Sequence, residues 1–331
     1  GGELTMPFRV CRSLDELPAP LPHLVLAIGN FDGMHRGHQR IFRHVVREAR
    51  ARNGTAAALT FDPHPSRVLA PASAPPLLIT LEQKLSLLEA AGIELVLVLP
   101  FTRALAQLSP LEFVREIVHR RLAAEVVLVG SNFRFGHGRA GNVQVLGKLA
   151  RKFGFAQKIV LPVKVGGQTV SSSLIRRLVA DGRIDRAARL LGRPFAVTGA
   201  VQPGARRGAP LGFPTLNLLP EQECLPARGV YITETLLEGE AYHSATNVGV
   251  RPTFGGQRLV VESHLLDFSR TVAEGRLEVR FHHRLRKEKK FRSPQALRAQ
   301  IARDVERTHR YFAQRASART RRVRRQECLR H

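Results

Sequence analysis

The feature that most constrains this chain is an alternation in its first half, where apolar runs of strand length are each followed by a segment with helical spacing. "HLVLAIGNF" (His23 to Phe31) leads into "HQRIFRHVVREARARNG", where Ile41, Phe42, Val45, Val46 and Ala49 recur at helical intervals until Asn53 and Gly54 stop them. "TAAALTF", "ELVLVLPF" and "EVVLVGSNF" repeat the strand pattern, separated by "TLEQKLSLLEAAG" and "SPLEFVREIVHRRLA". Both of those helices open in capping-box register, Thr80 with Gln83 and Ser109 with Glu112, and Pro110 takes the first helical position of the second. A helical "NVQVLGKLARKFG" and a strand-like "FAQKIVLPV" close the series. Uninterrupted apolar strands are buried on both faces, and helical connections of this length bring successive strands in parallel. The expected architecture is α/β and Rossmann-like, a parallel sheet with helices on both faces.

In such a sheet, ligands bind beyond the carboxyl ends of the strands. Every polar cluster of this half falls there. "GNFDGMHRGH" follows the first strand, "DPHP" the second, "GSNFRFGHGRAGN" the fourth, and "SSSLIRR" stands at the last strand-to-helix transition. His35 and His38 are three apart at the start of a helix, so both project to one side, where unpaired backbone N–H groups and the helix dipole attract phosphate. Two imidazoles there can donate hydrogen bonds to oxygens of a phosphorus under in-line attack, while Gly33 and Gly37 let the backbone approach. A zinc site would call for a third ligand and usually i, i+4 spacing. A pair of solvated surface histidines is the plain alternative; the glycines, the preceding strand and the following helix argue against it.

The texture changes after "SLIRRLVADGRIDRAARLLGRP", which reads as two short helices broken at Asp181 and Gly182. From Phe195 there follow "FAVTGAV", "FPTLNL", "GVYITETLL", "SATNVGV", "LVVESHLLDF" and "LEVRFHHRL", short alternating segments between turn residues, as in an antiparallel barrel. A last helix starts at Ser293 and Pro294 and carries Leu297, Ile301, Val305 and Phe312 on roughly one face. The expected division is a first domain over 1–185, a second over 186–314, and a basic, disordered tail over 315–331.

That tail holds seven of the chain's 44 arginines and inflates the formal net charge of +25. Arginine outnumbers lysine 44 to 8 along the whole chain, which points to a general residue preference rather than one patch. No helix-turn-helix, finger or aromatic stacking motif accompanies the charge, so no nucleic-acid partner is expected; a basic surface also suits a phosphate-rich substrate. The three cysteines, Cys11, Cys224 and Cys328, are far apart and odd in number, and read as reduced thiols. No apolar window approaches the ~20 residues of a membrane helix, and no secretory signal pattern is present, so a cytoplasmic location is expected.

The motifs carry a resemblance. "GNFDGMHRGH" resembles the G-x-F-D-G-x-H-x-G-H motif of the nucleotidylyltransferase module in bacterial bifunctional riboflavin kinase/FAD synthetases. "TFDPHP", "GSNFRFGHGRAG" and "VSSSLIRRLVADGRIDRAARLLGRPF" are similar to that family's further blocks, in the family's order. "LGFPTLNL", "NVGVRPTF" and "VVESHLLDF" resemble three blocks of its kinase module. The resemblance runs from about Phe8 to Gln314.

It implies a nucleotidylyltransferase domain followed by a kinase barrel with a C-terminal helix, and two magnesium-dependent reactions. Riboflavin is phosphorylated by ATP to FMN, and FMN receives AMP from a second ATP to give FAD and pyrophosphate. In the first module the resemblance puts His35, His38 and Arg176 in catalysis, Gly29, Phe31, Asp32, Gly33 and Asn132 around the nucleotide or flavin, and Ser172 and Ser173 beside Arg176 on the departing pyrophosphate. In the second it gives Glu262 the proton of the ribityl hydroxyl, assigns Gly212, Pro214, Thr215 and Asn217 to ATP, and makes Thr215 and Asn217 magnesium ligands. Asn247, Arg251 and Thr253 would shape the closing loop. Ser173 stands where the family commonly has Thr, Asn132 where it often has Asp, and Leu216 where Ala is usual.

Three rivals are separable on sequence. An aminoacyl-tRNA synthetase shares the histidine pair but calls for a lysine-rich loop that "SSSLIRR" does not supply. A monofunctional adenylyltransferase predicts no ATP site in the barrel, against "PTLN" and Glu262. A non-enzymatic nucleic-acid binder predicts salt-sensitive affinity without flavin turnover.

Overall fold

A computed structural model of the chain describes residues 7–19, 21–202, 213–253, 256–270 and 272–328. Its contacts form two compact units, Gly1–Leu174 and Ile175–His331.

Among the described residues, the main sheet of the first unit has six strands: β1 (Arg9–Cys11), β2 (Val25–Ile28), β3 (Ala56–Asp62), β4 (Leu95–Pro100), β5 (Val126–Gly130) and β6 (Ala156–Val160). All pair in parallel, in the order β1-β4-β3-β2-β5-β6. Helix α1 (Arg36–Ala51) follows β2, α2 (Pro65–Leu69) and α3 (Leu81–Ala90) follow β3, and α4 (Arg103–Gln107) and α5 (Pro110–Glu112) follow β4. Helix α6 (Val143–Phe153) joins β5 to β6, and a hairpin of β7 (Lys164–Val165) and β8 (Gln168–Thr169) precedes α7 (Ser172–Ala180).

Every residue of β2 is buried, as a strand covered on both sides requires. Leu24, Leu26 and Ile28 share one core with Val114, Ile117 and Leu146. Helix α1 packs on β2, β3 and β5 through Ile41, Phe42, Val45 and Ala49, none of them in that core, and so covers the other face. Both expected capping boxes form, Thr80 with Gln83 and Ser109 with Glu112. The expected helix after Ser109 differs in pitch, becoming π-helical over Phe113–Arg121. Its buried residues, Phe113, Val114, Ile117, Val118 and then Leu122, recur every four to five positions, a spacing that an i→i+5 ladder keeps in line.

Strands β2, β3 and β4 progress toward one edge of the sheet, β5 and β6 toward the other. The direction of winding therefore reverses between β2 and β5, which opens a crevice at their carboxyl ends.

The second unit holds most of α7, α8 (Ile184–Leu191), six strands and α9 (Pro294–Cys328). The strands β9 (Phe195–Gln202), β10 (Leu216–Pro220), β11 (Gly229–Leu237), β12 (Glu240–Thr253), β13 (Gly256–Leu265) and β14 (Arg276–Lys287) close into an antiparallel barrel, in the order β10-β13-β12-β11-β14-β9. Its interior is partly polar. Five hydroxyls form a closed circuit: Thr233 to Ser244 (2.8 Å), Ser244 to Thr235 (2.8 Å), Thr235 to Ser263 (2.8 Å), Ser263 to Thr246 (2.9 Å) and Thr246 back to Thr233 (2.6 Å). All five residues are fully buried. Each hydroxyl has two hydroxyl neighbours, and Thr233 Oγ1 also lies 3.1 Å from the Ser244 carbonyl, to which it can donate, so none is left without a partner, a condition whose breach costs about 1–3 kcal/mol per group.

Helix α9 is anchored through Asp304, which accepts from Arg286 Nε at 2.9 Å and from Gln300 at 3.0 Å. It does not end where the apolar face ends. Residues 315–328, read from composition as a disordered tail, continue α9 to Cys328. The segment holds no Gly or Pro and is rich in Arg, a good helix former, so nothing local stops the helix. Cys11 and Cys224 are buried and free of disulfides. Among the described residues, no helix is long and apolar enough to cross a membrane.

Beneath α9, His282 of β14 meets Phe312 edge-on (5.3 Å), His243 stacks flat on Phe312 (3.8 Å), and His282 Nε2 has no hydrogen-bond partner among the described residues. Burial, chiefly, pushes the His282 pKa down to about 4; Arg315, Arg280 and His243 add to this and Glu234 opposes it. A histidine that resists protonation when folded leaves stability unaffected above its unfolded value of 6.5, and subtracts stability as pH falls from there toward about 4. Thermal unfolding followed by circular dichroism should therefore show a steeper loss over that window in the parent chain than in His282→Phe. Equal slopes would remove His282 from the account.

Candidate functional site

The loop leaving β2 is tightly wound. Phe31 (φ 51°), Gly33 (φ 84°) and Met34 (φ 42°) all adopt left-handed backbone conformations, which cost energy at the two side-chain-bearing positions and recur at functional sites. The turn delivers His35 to the N-cap of α1, where its Nδ1 accepts from the His38 backbone N–H at 3.4 Å. Because that N–H must donate, Nδ1 presents its lone pair, and the proton of the neutral ring sits on Nε2. The two imidazoles stack, with centroids 3.6 Å apart and 16° between planes, and Phe31 meets His38 edge-on at 5.4 Å. Gly37 permits this packing, since a Cβ there would lie 3.0 Å from His35 Cε1. Sixteen residues of helix begin here with no acidic side chain in the first turn, so the positive end of the dipole is not offset.

Phe31 and Asp32 are 3% and 4% exposed. The Asp32 carboxylate accepts the backbone N–H of Leu78 (3.0 and 3.3 Å), and its carbonyl oxygen accepts from Ser172 Oγ at 2.8 Å. What these two residues hold is the loop itself. The same contact brings the serine cluster to the histidine loop across 140 positions of sequence. Ser171 caps Leu174 N–H (3.2 Å), and Ser173 is exposed. Arg176 lies half-buried one turn into α7, on the face that carries Ser172 and Ser173.

Across the crevice, the loop after β5 carries Asn132, exposed, and a stacked pair, Phe133 and Phe135 (5.3 Å, 16°), backed by Phe113 (5.8 Å). Gly141 makes room for Phe135, whose ring would sit 2.6 Å from a Cβ. In "DPHP", His64 caps α2 and bonds Ser66 Oγ (2.7 Å), the strand-ending role a Pro-flanked turn suggests.

In the barrel, register assembles the site. Asn217 of β10 pairs with Glu262 of β13, and Glu262 pairs with Asn247 of β12, so three polar side chains stand in a row on one face, neighbours about 5 Å apart. Ser263 and Thr246, one residue on or back, point into the hydroxyl ring, which sets this row on the outward face. Asn217 is 8% exposed, while Thr215 and Glu262 are partly exposed. His264, missed in the sequence, binds the Pro214 carbonyl (2.8 Å) through Nδ1 and Phe213 edge-on (5.3 Å), and thereby holds the loop carrying Thr215. The only signal for it was its place two residues from Glu262 on the same face. Gly212 lies outside the described residues, as do the side chains of Arg251 and Thr253.

The oxygen donors of Thr215, Asn217 and Glu262 suit a hard cation. No group of three or more His, Cys, Asp or Glu able to hold a metal occurs among the described residues. That set fits magnesium, which protein usually holds through one or two groups and substrate phosphates rather than a full cage.

Comparison with known proteins finds two family models along the chain. Residues 18–174 match the family model of FAD synthetase and residues 191–312 that of riboflavin kinase. The chain is similar to the bifunctional riboflavin kinase/FMN adenylyltransferase of Escherichia coli strain K12, with 37% identity over 287 residues, 86% of this chain and 92% of that protein. The protein of that name from Haemophilus influenzae is 34% identical over 305 residues, 92% and 99% of the two chains. The one from Bacillus subtilis strain 168 is 34% identical over 295 residues, 87% and 92%. A crystal structure described as a macrolide-efflux protein from Streptococcus pneumoniae is also similar, with TM-score 0.82 and 27% identity over 92% of this chain and 99% of that one.

Proposed function

The chain belongs to the family of bifunctional riboflavin kinase/FMN adenylyltransferases, and from that premise we propose how its residues divide the two reactions. The observation that carries the assignment in the first unit is the stacked histidine pair at the start of α1, at the reversal point of a parallel sheet. An oxygen of the FMN phosphate attacks the α-phosphorus of ATP, and pyrophosphate departs. Transfer of this kind is mostly positioning and charge stabilisation. His35 donates from Nε2, His38 donates beside it, and the α1 N-terminus adds backbone N–H groups to the oxygens that gain charge. Ser173 and Arg176 take the leaving pyrophosphate, with Ser172 tying their helix to Asp32. Asn132 and the Phe133–Phe135 stack receive the nucleotide or flavin ring.

In the barrel, Glu262 accepts the proton of the terminal ribityl hydroxyl as that oxygen attacks the γ-phosphorus of ATP, the bond to the β,γ-bridging oxygen breaks and ADP departs. Thr215 and Asn217 would hold magnesium beside the ATP phosphates, where the ion supplies charge neutralisation. Pro214, fixed by His264, keeps that loop in place. Dependence on two ATP molecules is the argument for a cytoplasmic location.

Incubation with riboflavin, ATP and magnesium, followed by chromatographic separation of flavins, should show FMN appearing first and FAD after it, and neither when EDTA is in excess. Conversion that stops at FMN would remove the adenylyl-transfer half of the assignment, and absence of FMN the kinase half.

A further inference from the structure

Lys84 has no part in the roles given so far, yet it is the one lysine in the first 147 residues of a chain that uses arginine almost everywhere else. It stands in the first turn of α3, which the Thr80–Gln83 capping box fixes, and is 8% exposed. Its Nζ lies 3.4 Å from Thr60 Oγ1. Thr60 is fully buried near the carboxyl end of β3, and its hydroxyl donates in turn to the Asn30 carbonyl at 3.4 Å. The path therefore runs from an ammonium, through one hydroxyl that accepts and donates, to the residue that opens the histidine loop. Burial works to neutralise the amine, and the carboxylates of Asp32 and Asp62, the charged groups acting on it, work to keep its proton. Asp32 belongs to the histidine loop; Asp62 ends β3.

Packing does not account for an amine here. Methionine would fill similar volume without the cost of taking a charge from water, and a buried charge is weak evidence for stability as such. Nor does a need for any cation account for it, since arginine is this chain's usual choice; a compact ammonium on a flexible stem is what differs. We propose that Lys84 is a positioning residue for adenylyl transfer, whose ammonium, through Thr60 and the charge of Asp32, holds the Asn30–His35 turn in the shape that presents both imidazoles to the triphosphate. This rests on the reading of the histidine loop as the adenylyl-transfer site.

The test compares full-length Lys84→Met, Thr60→Val and the double variant with the parent chain, measuring FAD formation from supplied FMN and, in the same preparations, riboflavin phosphorylation. In each single variant kcat for FAD formation should fall about ten- to hundred-fold, the usual effect of removing a group that orients a catalytic one. KM for ATP and FMN should stay within about threefold, because the adenine and flavin are held elsewhere. Because both act through one path, the double variant should be no slower than the slower single. Without ligands, backbone amides of residues 29–36 should exchange faster in Lys84→Met, and riboflavin phosphorylation should be unchanged. FAD formation at the parent rate in both single variants, unaltered exchange in the loop, or losses that multiply in the double variant would each overturn the proposal. A parent chain unable to make FAD from FMN would overturn instead the reading beneath it.

Discussion

His38→Ala should leave the chain making FMN from riboflavin at the parent rate and unable to carry it on to FAD, with adenylyl transfer reduced at least about 10²-fold. The prediction is clean because the substitution leaves the backbone cap of the helix in place. His38 sits in the first turn of α1, where its backbone N–H, not its ring, completes the cap with His35, and alanine is a good helix former there. What disappears is an imidazole stacked at 3.6 Å on His35 and steadied by the edge of Phe31. The residues proposed for the kinase step, Thr215, Asn217 and Glu262, belong to a separate compact unit. Quantifying FMN and FAD in one reaction reads both steps together. FAD at the parent rate would refute the assignment of His38, and loss of FMN as well would refute the separation of the two sites.

The mirror-image result is expected of Glu262→Gln. Riboflavin phosphorylation should fall by about 10²–10⁴-fold, the range associated with a positioned general base, while supplied FMN is still converted to FAD. Glutamine keeps the length and shape of the side chain in the row with Asn217 and Asn247, and changes only its ability to take a proton. The hydroxyl ring, on the other face of β13, is not touched. Initial rates with riboflavin and with FMN as alternative substrates check this directly, and kinase activity within about twofold of the parent would assign the base elsewhere.

These two candidates stand out in the sequence for different reasons. His35 and His38 could be picked out because glycines, a preceding apolar run and a following helix are local patterns, and the N–H groups and dipole of a helix start favour phosphate. Glu262 read by itself as one carboxylate on an alternating strand, and only resemblance to a family block singled it out. Its physical context lies in pairing with Asn217, 45 positions earlier, and Asn247, 15 positions earlier, and cross-strand register has no local signature. Lys84 was invisible for the opposite reason. On a helical pattern a lysine reads as solvated, and nothing in "TLEQKLSLL" says that its amine ends beneath a turn 54 residues before it.

The sequence by itself determined the elements and their class: period-two and period-3.6 patterns, capping residues and turn chemistry act within a few positions, so strands, helices and the change from α/β to barrel can be read from neighbours alone. Tertiary structure decided where the winding of the sheet reverses, which serine reaches Asp32, which face of the barrel is dry, and that the helix after Glu112 widens to a π pitch. Those outcomes depend on contacts between residues tens to more than a hundred positions apart, whose energies exist only once the chain has closed on itself and excluded water.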